Sequence, residues 1–178
     1  MVEKEDFANR SLRHLRDAAM ISVGFDGLMR RSEVVSLRTS DVEFLPKGFA
    51  QLLLRRSKND QCARGRVVRL TEKSSILLEN WMRARGSGEF LFVPVLGGVV
   101  TDRGMNPIAV QRAIISALAE LGRKNSRRYT GHALRVGAAQ ELLKIGCDTA
   151  GIMRAGGWKS VSSLARYLER ADHSVWES

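Results

Sequence analysis

A mainly helical α+β fold, with one small antiparallel sheet packed among helices, is predicted by three features of the chain. Apolar residues recur at helical spacing through most of its length, the stretch from Asp41 to Leu70 switches to strand-forming runs, and Gly, Pro and capping residues punctuate the boundaries. At 178 residues the chain can bury one good core, and it is read as a single domain spanning 1–178.

The first helix is expected from Lys4 to Val23, with Phe7, Leu12, Leu15, Ala19 and Ile21 as its apolar positions. Gly24-Phe25-Asp26-Gly27 reads as a break. The next helix turns Leu28, Val34 and Leu37 inward; its phase puts Arg30 on that face, whereas Arg31 lies with Val35 and Arg38 toward another side. Glu33, three residues beyond Arg30, is spaced to orient it. DVEFLPKGFAQLLLRR then reads as a hairpin around Pro-Lys-Gly, and GRVVRL as a strand returning alongside. Lys58 falls in the polar connection RSKNDQCARG, where a lysine taken alone is a solvated loop residue.

Thr71 caps a helix that passes Trp81 and Met82 and stops at Gly86-Ser87-Gly88. EFLFVPV is a short apolar run suited to a buried extended segment, and Asn106-Pro107 opens a helix with Ile108, Ile114, Leu118 and Leu121 as its apolar face. Arg123, Lys124, Arg127 and Arg128 make the densest positive patch, which reads equally as a set of DNA-backbone contacts and as a solvated loop.

From Thr130 to Glu169 the pattern is helix, helix, Gly-Gly turn, helix. The first carries Leu134, Ala138, Leu142 and Ile145, with His132 and Arg135 one turn apart on a shared face. Gly146 stops it, Asp148 caps the second, Gly156-Gly157 breaks the chain before Trp158, and Ser160 caps the helix bearing Tyr167. Singly, a Trp after a Gly turn is a core anchor and a Tyr on an amphipathic helix is packing. Trp176, an aromatic near the end of the tail, needs something to cover it.

A net charge of +10 and a pI near 10.4 imply an acidic partner, with nucleic acid the leading candidate. An aromatic content of only 6% favours phosphate contacts on double-stranded DNA over base stacking with single strands. Cys62, Cys147 and three histidines offer neither metal-ligand spacing nor a disulfide framework, so no metal or other cofactor is expected. With no long apolar span or cleavable signal, a soluble cytoplasmic protein without a membrane partner is expected.

The blocks GLMRRSEVVSLR, RSK, GHALR, AGGW and ARY, in that order from Gly27 to Tyr167, resemble the motif set of tyrosine recombinases, the phage integrase family. The resemblance implies that family's catalytic-domain fold and a site-specific recombinase or integrase of a mobile element. Such an enzyme cuts and rejoins duplex DNA through a covalent 3′-phosphotyrosine, as a tetramer on paired sites. By the same resemblance Arg30 and Arg135 clamp the scissile phosphate, and His132 and the indole N–H of Trp158 complete the cradle. Tyr167 attacks, Lys58 protonates the leaving 5′ oxygen, His132 accepts the phenolic proton, and Glu33 orients Arg30 and His132. Many members carry His where this chain has Trp158, which can donate but not accept a proton. The family's helical N-terminal domain has no counterpart here, so either a fragment or a natural short form is expected. A type IB topoisomerase and a non-cutting DNA-binding relative are the competing classes.

Overall fold

A computed structural model describes residues 11–55, 65–123, 129–130 and 132–168. Helix α1 (Leu12–Asp26) is central, packing against α3 (Glu72–Arg85), α4 (Ile108–Glu120) and α5 (Ala133–Lys144). The Ser11 hydroxyl caps it by accepting from the His14 N–H at 3.3 Å, and the expected start at Lys4, with Phe7, lies outside the described residues. Helix α1 runs through the expected Gly24 break. A Cβ at Gly24 would lie 2.8 Å from Leu134 Cδ1 and 3.2 Å from Val34 Cγ2, so this glycine lets α5 and α2 (Arg31–Ser36) close on the helix. That packing outweighs the roughly 1 kcal/mol a mid-helix glycine costs.

The sheet is antiparallel in the order β1 (Val42–Phe44), β2 (Ala50–Leu54), β3 (Arg66–Arg69). Leu52 pairs with Val42 on one side and Val68 on the other, and Leu54 pairs with Arg66. Its inner face, Ala50, Leu52, Leu54 and Val68, is buried, whereas Leu53 and Val67 on the other face are exposed, the pattern of a sheet covered on one side. Thr71 caps α3, and the buried run Leu91–Val93 follows it, held to Leu37 by a backbone bond of 2.9 Å. Gly97 and Gly98, both with positive φ, turn a small hairpin of β4 (Val95–Leu96) and β5 (Val99–Val100).

The buried side chains form two clusters. The larger joins α1, the sheet, α3 and α4 around Met20, Leu52, Trp81 and Phe92. The smaller joins Leu28, Ala138, Ala139, Ile152, Trp158 and Leu164, from the turn after α1 and from α5, α6 (Thr149–Gly156) and α7 (Val161–Leu168). Some expected apolar faces differ. Ile108, Leu121 and Ile145 are exposed, because α4 buries Val110 and Ala113 beside the expected Ile114 and Ile145 lies past the end of α5. Among the described residues no helix is long and apolar enough to cross a membrane.

Candidate active site

The site grows from the turn that ends α1. The Met29 N–H donates to the Gly24 carbonyl at 2.9 Å and the Leu28 N–H to Phe25 at 3.0 Å, which places Leu28 in the left-handed region at φ 47°. A side chain there costs on the order of 1 kcal/mol. Burial of Leu28 in the smaller cluster offsets that cost. Leu28 is therefore a turn residue and not part of the inward face of α2. The turn presents two successive carbonyls to two arginines. Leu28 accepts from Arg135 Nη1 at 2.5 Å, and Gly27 accepts from Arg66 Nη2 at 2.7 Å.

Arg30 follows this turn with extended backbone and serves as the N-cap of α2, one residue before the helix on which it was expected. The expected helical face thus does not place it; Glu33 does. One carboxylate oxygen accepts from the Arg30 backbone N–H at 2.8 Å, the other from Arg30 Nη1 at 2.8 Å. Glu33 is buried, while the Arg30 side chain keeps 30% of its surface, so one end of the pair is rigid and the other is open. Arg31 is exposed and reaches Gln111 on α4.

Arg135, in the first turn of α5, is almost wholly buried at 1% exposure. Its guanidinium carbon lies 3.7 Å from the centroid of the Trp158 ring and 6.0 Å from that of Tyr167. The two rings meet edge to face at 5.3 Å. Its Nε and Nη2 are buried with no hydrogen-bond acceptor among the described residues. Burial first, and then the charge of Arg30, push its pKa down to about 10, against the pull of Glu33 and Tyr167. Two nitrogens of a desolvated cation, without an acceptor among the described residues and within the field of a second arginine, form a site suited to an anion with several oxygens.

Trp158 reaches this position because Gly156 has no side chain. A Cβ there would fall 1.9 Å from the indole Cζ3. Gly157 adopts the left-handed conformation that ends α6, and Asp148 caps the start of that helix. Tyr167 is half-buried on α7, whose first turn is capped by the Ser160 hydroxyl accepting from the Ser163 N–H at 3.3 Å. Its carbonyl accepts from Gln140 on α5 at 3.1 Å, tying the two helices together.

The sequence matches the phage integrase family over residues 5–174, nearly its whole length. The chain belongs to the phage integrase family. It is 25% identical over 173 residues to the recombinase Cre of Escherichia phage P1, covering 89% of this chain and 50% of that protein. It is also 25% identical over 176 residues to an integrase/recombinase XerD homolog of Selenomonas ruminantium, covering 93% and 50%. The chain thus spans about half the length of the curated relatives it matches. Among solved structures, XerA recombinase superposes with a TM-score of 0.69 at 24% identity, over 93% of this chain and 59% of that one. XerH site-specific recombinase, bound to its difH substrate in a pre-cleavage complex, gives 0.65 at 20% identity, over 92% and 47%. These likenesses establish the phage integrase catalytic-domain fold, mainly helical with a small antiparallel sheet.

Of the residues singled out in the phage integrase motifs, the structure gathers Arg30, Glu33, Arg135, Trp158 and Tyr167. His132 does not share the burial of Arg135. It is the exposed N-cap residue of α5, because the helix begins only at Ala133. Lys58, Lys124, Arg127, Arg128 and Trp176 lie outside the described residues, and Arg123 follows the C-terminus of α4 on an exposed turn. Arg66 was missed. It opens β3 and joins the cluster through its bond to Gly27 and a 4.0 Å approach to Glu33. Burial lowers its pKa, with Glu33 opposing and Arg30 adding to the fall. The only signal in the sequence was a cation, Arg66, at the start of the strand read in GRVVRL; strand alternation says nothing about a contact with α2.

Proposed function

We propose that this chain carries the catalytic centre of a site-specific DNA recombinase or integrase, acting through a 3′-phosphotyrosine. The observation that carries the reading is Arg135, a buried cation stacked on Trp158 and close to Tyr167, with Nε and Nη2 lacking an acceptor among the described residues.

In this mechanism the scissile phosphate binds between Arg30 and Arg135, whose planar forks hold its non-bridging oxygens and meet the charge that grows on them in the transition state. The indole N–H of Trp158 donates to the same group. The Tyr167 oxygen forms a bond to phosphorus as the bond from phosphorus to the 5′ oxygen breaks. The phenolic proton passes to His132, and Lys58 protonates the departing oxygen. The ester stores the bond energy of the cut strand, so another 5′-hydroxyl can attack it, release Tyr167 and rejoin DNA. Glu33 holds Arg30 and transfers no proton. A net charge of +10 favours the duplex partner electrostatically, and exchange of strands would require a tetramer on two paired sites.

The test is a nicked suicide duplex, its sequence selected from a randomised pool by the full-length protein. The parent should accumulate a covalent adduct, and Tyr167→Phe should bind equally well and form none. An undiminished adduct in that variant would transfer the role to Tyr129 or elsewhere. Two fragments bearing the selected site should yield joined products; relaxed circles alone would indicate a topoisomerase.

A further inference from the structure

Arg66 lies outside the five sequence blocks quoted above, yet its guanidinium spans three segments around the site. Nη2 donates to the Gly27 carbonyl at 2.7 Å and approaches Glu33 at 4.0 Å, while Nη1 donates to the Ala155 carbonyl at the end of α6. Its stem runs beside Gly157, where a Cβ would lie 3.9 Å from the Arg66 Cδ and Nε. Gly27 belongs to the turn that receives Arg135, Glu33 orients Arg30, and Ala155 stands three residues before Trp158.

We infer that Arg66 is a positioning residue for the proposed cleavage, a strap from the sheet that holds the α6–Trp158 turn against the Arg30–Glu33 pair. The inference rests on the functional reading above and adds to it a coupling between the two buried clusters. Arg66 opens β3, the strand that contributes Val68 to the larger one, and Ala155 and Trp158 belong to α6 and the turn that packs the smaller. Without the strap, Trp158 would lose its register over Arg135, and Arg30 and Arg135 would no longer converge on one phosphate. A fork is needed because the two carbonyls are met by separate nitrogens; a lysine keeps the charge but supplies a single ammonium.

The experiment is a double-mutant cycle between Arg66→Met and Trp158→Ala, read as the rate of adduct formation on the selected suicide duplex and as duplex affinity. If Arg66 acts through the Trp158 turn, Arg66→Met should slow cleavage about 10- to 100-fold alone but less than about 3-fold in the Trp158→Ala background, with affinity changed less than about 3-fold. Equal factors in the two backgrounds, or a parallel loss of affinity, would overturn the inference. A methylphosphonate at the scissile position removes one phosphate charge. The Arg66→Met defect should persist there, and its disappearance would make Arg66 a phosphate contact instead. Should Arg66→Met not fold, Arg66→Lys takes its place with a smaller defect and the same dependence on Trp158. Tyr167→Phe separates the two levels. An adduct in that variant would overturn both readings, whereas its absence beside independent effects of Arg66 and Trp158 would overturn this one alone.

Discussion

Replacing Arg135 by methionine separates a cation held ready for an anion from one that holds the fold together. The fall of its pKa from the ordinary guanidinium value to about 10 corresponds to about 3 kcal/mol against the charged form, at ~1.4 kcal/mol per pH unit. Stacking over Trp158 at 3.7 Å returns about 2 kcal/mol. The bond to the Leu28 carbonyl returns about 1 kcal/mol. The sum is close to zero, and methionine keeps the stem and a polarisable tail against the indole. The DNA-free Arg135→Met protein should therefore unfold within about 1 kcal/mol of the parent, or about 4 °C in Tm for a chain of this length. Breaking a buried ionic contact that supports a fold would cost about 3–5 kcal/mol. Adduct formation should meanwhile fall by at least about 10³-fold. Thermal melting by circular dichroism and the suicide-duplex assay measure the two quantities. A fall in Tm beyond about 8 °C would refute the reasoning by making Arg135 structural. The pH dependence has a definite sign. The folded pKa lies below the unfolded one, so the penalty is fully present below pH about 10 and fades above it. In the proposed mechanism only the charged form clamps the phosphate, so the second-order cleavage rate should fall as pH rises through about 10.

Three further outcomes are expected. Arg30→Ala should lower cleavage by about 10²-fold or more while Arg31→Ala, exposed and turned to Gln111, leaves it within about 3-fold; the reverse order would displace Arg30 from the site. Gly156→Ala should force the indole aside, since its Cβ would fall 1.9 Å from Cζ3. Cleavage should then drop about 10-fold or more and stability by about 1–3 kcal/mol, and unchanged values in both assays would contradict the packing described. Lys58→Ala should be impaired on ordinary DNA and close to the parent on a strand whose bridging 5′ oxygen is sulfur, because a thiolate leaves without a proton. Arg135→Ala should stay impaired on both strands. Equal impairment of Lys58→Ala on the two strands would reduce this lysine to a phosphate contact.

Beyond the fold class, local sequence was enough to set the caps at Thr71, Asp148 and Ser160, the stops at Gly86 and Gly146, and the hairpin turn at Pro46–Gly48. Each of these is decided by neighbours within four residues, through a side-chain acceptor for a free N–H or a backbone that only glycine adopts easily. It also named the family's motif residues. What those residues do to one another was decided by tertiary packing. The Gly24 break vanished because α2 and α5 press on it, and Leu28, not a glycine, took the left-handed position because its side chain is buried. Arg30 left the helix face for a cap position, where the buried Glu33 binds both its backbone and its side chain. His132 and Arg135, equivalent by spacing, separated into an exposed cap and a buried cation, because α5 starts between them. Arg66 joined the site from a strand more than thirty residues away in the chain, a distance over which periodicity carries no information. Local rules set the caps and stops named above; the closing of two clusters on one turn set the boundary between α1 and α2 and which charges lose water.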